Sequence, residues 1–411
     1  MLLLKLALRN IMRHKRRTLL TAGVISVAVL LYISLDSHLG SMNQISYENL
    51  IDFETGHIQI VKKAYWEEKD ELPLENLIQM DGNIAKAVKS APGYAAMAGQ
   101  LDFPVRLNDG LDELPVIGRA LDPASVKEVF SLENYFVEGK LFKKGENKIV
   151  MGKSLAEVME LRTGDYITLL VRTKRDYFNT IEAEISGLFH TPNPGINQNI
   201  VYLSLDVARN TLSTPASVSR IVVRLADRRQ APQAAENIRQ TLAASPELKI
   251  IPWQEQEAVA VMQAKQAGNS LLMGIILFIA AIGIVNTVIL SALERMRETG
   301  MMKAMGLEER KIVSVFVIES TGIGVLGALA GCLLGAVSVS LLAKYGIDYS
   351  GFCDGSLGEY GIPVIGAIYG TRNLKTFIFV FLFSTAVSFF ASILPSYWAA
   401  RKDPVEALYE R

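Results

Sequence analysis

Residues 271–306 read LLMGIILFIAAIGIVNTVILSALERMRETGMMKAMG. The stretch from Leu271 to Leu293 carries no charge. A bilayer core takes about 20 such residues as a helix, so this is a membrane span. The next residues are of the opposite kind: Glu294, Arg295, Arg297, Glu298 and Lys303 crowd together. The span therefore continues out of the membrane as a charged helix, with Glu294 and Glu298 one turn apart on one face. Gly300 is placed to end that helix and Gly306 to end a short second one, since glycine takes the left-handed backbone of a helix terminus at little cost. Met301, Met302 and Met305 lie between them, and flexible methionines suit an interface that must shift. On the residues alone, an ordinary charged connector fits equally well.

Three more apolar stretches qualify as spans: Thr18 to Leu35, Ile312 to Leu342 and Phe377 to Ala400. Lys and Arg sort their connections. Lys5, Arg9, Arg13, Lys15, Arg16 and Arg17 precede the first span; Arg295, Arg297, Lys303, Arg310 and Lys311 separate the second from the third; Arg401, Lys402 and Arg411 follow the fourth. These segments alternate correctly to share the cytoplasmic side. The first span lacks a small-x-small cleavage pattern and is read as retained. The expected fold class is a membrane protein of four transmembrane helices with a large α+β extracytoplasmic domain inserted between helices 1 and 2. In residues, that is a cytoplasmic amphipathic segment 1–17, helix 1 at 18–37, the extracytoplasmic (periplasmic) domain 38–268, helix 2 at 269–294, a cytoplasmic connection 295–310, helix 3 at 311–343, an outer loop 344–374, helix 4 at 375–400 and a cytoplasmic tail 401–411. Leu2, Leu3, Leu6, Leu8 and Ile11 against Lys5, Arg9, Arg13 and Lys15 would let the first segment lie along the membrane surface.

Half of the residues are hydrophobic and the mean hydropathy is +0.25, yet 20% are charged, which fits spans plus a sizeable water-exposed part. A net charge of +0 argues against a nucleic-acid partner. Cys332 and Cys353 suggest neither a disulfide framework nor a metal site, and His14, His38, His57 and His190 are too scattered for a metal cluster. The chain has no G-x-x-x-x-G-K-[ST], no H-E-x-x-H and no G-x-S-x-G, so hydrolytic chemistry and a nucleotide site of its own are disfavoured. In the large domain strands are expected at His57–Val61, Tyr94–Leu107, Tyr166–Val171, Thr180–Phe189, Asn199–Leu203 and Val218–Leu225. Helices are expected at Asn83–Ser90, Ser154–Leu161, Leu205–Leu212 and Gln230–Ala244, with Gln254–Gln266 running into the second span.

The segment Leu293 to Gly306 resembles the E-R-x-x-E-x-G-x-x-K-A-x-G signature of the FtsX/MacB/Lol superfamily of ABC transporter permeases. Glu294, Arg295, Glu298, Gly300, Lys303, Ala304 and Gly306 match it, and Ile312 and Glu319 continue the pattern. The C-terminal Leu394 to Leu408 resembles the family's second signature: Pro395, then Ala399-Ala400-Arg401, then Asp403-Pro404-Val405-Glu406-Ala407-Leu408. Leu6-Ala7-Leu8-Arg9-Asn10 and Lys15 to Leu20 also fit, and Gly56 to Ile60 looks most like the lipoprotein-releasing branch.

The resemblance implies that two permeases pair, as a homo- or heterodimer, above separate ABC ATPase subunits. ATP and magnesium would bind on those subunits, and no cofactor on this chain. The seven signature residues would form the ATPase-coupling helix, and work would be done mechanically on the outer face of the bacterial inner membrane. Release of lipoproteins ranks first, efflux of a drug, peptide or siderophore second, and signalling to a murein hydrolase third. For the first, the partners are a lipoprotein or other amphiphile and a periplasmic carrier or adaptor. The outer half of the first span (Val24, Val27, Val29, Leu30, Leu31, Ile33 and Leu35) would form a greasy lateral cleft, with Val27, Leu31 and Leu35 as substrate residues.

Gly327, Gly331 and Gly335 allow close helix contact, read here as packing within one subunit. Glu319 is read as part of a salt bridge, and Asn286 as interhelical glue. Two departures from the family stand out. The outer loop Gly346 to Arg372 is long. The connection Arg172 to Thr180 is short where the carrier-docking subunit has a protruding hook, which argues against carrier docking by this chain.

Overall fold

The computed structural model describes residues 7, 9–10, 12–13, 15–294, 296–348 and 367–401. Five helices carry the membrane part: α1 (Lys15–Leu50), α2 (Glu257–Leu293), α3 (Met296–Ala304), α4 (Glu309–Tyr345) and α5 (Leu374–Arg401). All but the short α3 are long and apolar enough to cross a membrane. At about 1.5 Å per residue the long helices reach roughly 40–55 Å, well beyond an apolar core of about 30 Å. α1 therefore runs on past Leu35, where the sequence reading ends the first span, because no proline interrupts residues 36–50.

The chain divides into two compact units. In the membrane unit, residues 1–43, 264–348 and 367–411, glycines and serines set the packing. A β-carbon on Gly327 would lie 2.8 Å from the Ala22 carbonyl oxygen, one on Gly331 2.6 Å from Val29 Cβ, and one on Gly335 3.0 Å from Ile33 Cδ1. The glycine stripe of α4 thus lets α1 of the same chain approach closely. Gly324 does the same for Ser388 of α5. Along α5, Ser384, Ser388, Ser392 and Ser396 form a buried small-residue face. Each of these four hydroxyls donates to a carbonyl of its own helix, so none of the four is stranded. Glu319 is buried and accepts from Asn10 Nδ2 at 3.4 Å. The segment entering α5 is stitched to α1: Ser37 Oγ donates to the Thr371 carbonyl at 2.8 Å, and Ser41 Oγ donates to the Tyr369 carbonyl. Most of the long loop, residues 349–366, and the tail motif 403–408 lie outside the described residues.

The large unit contains residues 44–263. Its strands are β1 (Ile58–Lys62), β2 (Ile78–Gln79), β3 (Tyr94–Asn108), β4 (Glu113–Leu121), β5 (Phe136–Gly139), β6 (Lys148–Gly152), β7 (Tyr166–Arg172), β8 (Phe178–Phe189), β9 (Ile200–Ser204), β10 (Ser217–Val218), β11 (Arg220–Leu225) and β12 (Leu248–Pro252). Ten of them form one sheet, in the order β12-β1-β11-β3-β4-β9-β6-β8-β5, and β7 pairs with both β3 and β8. That double pairing closes β3, β4, β9, β6, β8 and β7 into a ring. The long β3 makes it possible: Tyr94 to Gln100 pairs with β11, while Val105 to Asn108 on the same edge pairs with β7. From Phe103 onward β3 alternates buried and exposed residues, as a strand with one covered face should. Its middle, Ala98 to Phe103, is buried on both faces.

The sequence reading missed β2, β4, β5, β6, β12 and the helices Lys63–Glu67, Pro123–Val129 and Pro194–Asn199. β4 contains Pro115 and Gly118, which break a strand pattern, yet Gly118 is needed there: it lies opposite Phe103, whose ring would meet a β-carbon at 2.7 Å.

Candidate functional site: the coupling segment and the spans beside it

The charged segment folds differently from its sequence reading. α2 stops at Leu293, and Glu294 lies in the turn after it, so Glu294 and Glu298 do not share one helix. Arg295 lies outside the described residues. α3 then runs from Met296 through Gly300 to Ala304. Gly300 therefore does not end a helix; it is buried in the interior of one. Gly306 does end it, at φ +86°. The Gly306 amide donates to the Lys303 carbonyl at 3.0 Å and the Leu307 amide to the Met302 carbonyl at 3.1 Å. This is the paired-bond cap that a left-handed glycine permits, and Met302 and Leu307 supply its apolar contact by packing on the Ile312, Phe316 and Ala400 cluster.

Helical rotation sorts the signature residues. Thr299 and Gly300 are buried, while Glu298, Met302 and Lys303 are half-buried. Lys303 Nζ donates at 3.0 Å to the Ala400 carbonyl and at 3.0 Å to Glu309 Oε1. Ala400 belongs to the C-terminal signature, so the two signatures meet at this bond. The ammonium sits at the carbonyl end of α5, where the helix dipole favours a cation. The opposite face of α3 presents Met301, Ala304 and Met305, with Met305 78% exposed. These three positions are spaced to form one small apolar patch.

The first span is sorted in the same way. Val29 and Ile33 are buried against Gly331 and Gly335, so these two do not contribute to an open cleft. Val24, Val27 and Leu31 are exposed on the other side, and Leu35 is half-buried. Asn286 is exposed on α2 rather than buried between helices of the described residues.

One polar cluster escaped the sequence reading altogether. Asp102 of β3 is buried and accepts from Arg119 Nε of β4 at 3.1 Å, from Arg220 of β11 at 2.6 Å and from Gln100 Nε2 at 2.8 Å. Burial pushes its carboxyl up, but the two guanidinium groups outweigh that and hold it below its ordinary range. Nearby, α1 gives way to a π-helical turn, Ile51–Thr55, closed by Gly56 at φ +59°. Asp52 pairs with Arg224 at 2.5 Å, and Glu54 accepts from Asn193. Burial raises the Glu54 carboxyl above its usual range, partly offset by Arg119 and Arg220. The alternation of β3 signals burial, but nothing local names partners on β4 and β11.

Two family descriptions cover most of the chain. Residues 18–241, more than half of it, match the MacB-like periplasmic core domain, and residues 270–404 match the FtsX-like permease C-terminal family. An uncharacterized ABC transporter permease of Methanocaldococcus jannaschii is 22% identical over 98% of this chain and 96% of its own length. The lipoprotein-releasing system transmembrane protein LolC of Xylella fastidiosa is 22% identical over 72% of this chain and 73% of its own. The macrolide export ATP-binding/permease protein MacB 2 of Aeromonas hydrophila is 23% identical over 98% of this chain and 60% of its own. Among solved structures, the periplasmic region of MacB from Actinobacillus actinomycetemcomitans aligns with a TM-score of 0.37 at 12% identity, covering 53% of this chain and 96% of that one. A core domain of the MacB type between the first two of four spans, followed by an FtsX-type permease half, makes this chain a multi-pass membrane protein of the FtsX/MacB/LolC type, an ABC transporter permease that works with an ABC ATPase.

Proposed function

We propose that this permease turns ATP hydrolysis by a separate ATPase subunit into mechanical work on the outer face of a bacterial inner membrane, and that the work is release of lipoproteins. The observation that carries the coupling half is the sorting of α3. Lys303 and Met302 fasten the helix to α5 and α4, leaving Met301, Ala304 and Met305 exposed to enter a groove of the ATPase. ATP and magnesium would stay on that partner, and both termini would be cytoplasmic. Two permeases, identical or different, would pair.

The substrate half rests on the exposed stripe Val24, Val27 and Leu31, which offers apolar surface for acyl chains at about 0.8 kcal/mol per buried CH₂. The LolC match supports it. A photoreactive side chain at Leu31 in the intact complex should capture a lipoprotein before ATP is added and lose it afterwards. Capture of phospholipid alone would remove the lipoprotein reading. Efflux is the second reading, because the match to the macrolide exporter spans 98% of this chain. ATP-driven export of a soluble compound by the same complex would put it first.

A further inference from the structure

A polar pocket of about 300 Å³ opens within the membrane unit. Asp36 and Asn43 come from α1, Gln266, Asn269 and Ser270 from α2, and Asn373 from the residues just before α5. Three of the four apolar stretches end or begin close by: Asp36 follows Leu35, Ser270 precedes Leu271, and Asn373 lies four positions before Phe377. The pocket therefore lies at head-group depth, with Tyr32 and Met273 lining it from the apolar side.

Its chemistry is one-sided. Among the described residues, the lining holds one carboxylate, several amides and hydroxyls, and no lysine or arginine. Asp36 Oδ2 is held by Thr376 Oγ1 at 2.6 Å and by Asn373 Nδ2 at 3.4 Å, which fixes the carboxylate in place. A phosphate alone would meet a negative wall without a cation. A quaternary ammonium would want an aromatic cage, and Tyr32 is the one aromatic ring among the described lining residues. A primary ammonium, with three N–H donors, matches a carboxylate ringed by amide and hydroxyl acceptors. We infer that this pocket binds the primary ammonium of an amphiphile's head group, either an ethanolamine lipid or the free amino terminus of a diacylated lipoprotein. The inference rests on the reading that an amphiphile is handled at this end of the spans.

The test uses the intact permease–ATPase complex in nanodiscs, with a photoreactive side chain at Leu39. Capture is compared within two pairs of probes: phosphatidylethanolamine against phosphatidylcholine, and a diacylglyceryl-cysteine peptide with its amino group free against the same peptide acetylated. In at least one pair the free amine should be captured about tenfold better, as a charge-assisted bond would give. The pair that discriminates identifies the source. Asp36→Asn should abolish the preference. Because Asp36 also bonds Thr376, Asn269→Ala, which leaves that bond intact, is the second variant and should weaken the preference several-fold. Equal capture within both pairs, or a preference that survives both variants, overturns the inference. Lipoprotein release is followed in the same nanodiscs. Release without amine preference sinks the pocket alone, and amine preference without release sinks the release reading alone.

Discussion

Gly306 shows how a single backbone angle can be both visible in the sequence and demanded by the structure. Nothing lies within 4 Å of where its β-carbon would stand, so a larger residue meets no obstacle, but its φ of +86° is a region L side chains avoid. Gly306→Ala should therefore cost about 1 kcal/mol through the backbone alone, and Gly306→Asn clearly less, because asparagine tolerates left-handed angles. Unfolding of the two variants in micelles checks this, and equal costs would point to packing instead. In the large domain, His57 is held neutral. Its Nδ1 accepts the Leu225 amide at 2.9 Å, and burial together with Arg224 lowers its pKa to about 4. An unfolded histidine titrates near pH 6.5, so the unfolded chain binds the extra proton first. The stability His57 lends is then whole above about pH 6.5 and is lost as pH falls toward about 4. His57→Gln should flatten that part of the thermal-midpoint profile; an unchanged slope would assign it to other groups.

At the scale of the element, α3 is a helix with two different faces. Met302 packs inward beside Ile312 and Phe316, while Met305 is 78% exposed. Met305→Glu should leave membrane insertion and yield unchanged and lower stimulation of the partner ATPase at least about tenfold, as loss of a central contact residue does. Met302→Glu should instead lower the yield of folded protein, since it places a carboxylate against an apolar cluster. Opposite outcomes for the two methionines would reverse the proposed faces. The glycine stripe of α4 belongs to this scale as well: the spacing announced close contact, and Val29 and Ile33 of α1 turned out to be what fills it.

For the whole molecule, orientation is the open quantity that basic residues decide. The basic clusters before the first span, between the second and third and after the fourth can share one side only if the large domain is on the other. Two exposed positions test this. In a background lacking Cys332 and Cys353, Leu111→Cys, at a site 94% exposed in the large domain, should label from outside the cell. Met305→Cys should label only after the membrane is opened. Labelling of both from outside would remove the topology.

Sequence alone determined the four spans, the large mixed domain between the first two, and the glycine cap at Gly306. All of these are local: an apolar run, a period of two or 3.6 residues, and one special backbone angle. Only the tertiary structure decided which side of each element faces what. Val27 and Val29 are equally apolar, yet one is exposed and the other buried. Met302 and Met305 are the same residue three positions apart. In water, hydropathy would separate inside from outside, but lipid tails are as apolar as a protein core, so within a span the pattern carries no such contrast. In the large domain the same limit takes another form. The closure of the ring pairs Val105 with Val171, and Asp102 meets Arg220 across 118 positions of chain; no local period encodes such distant partners.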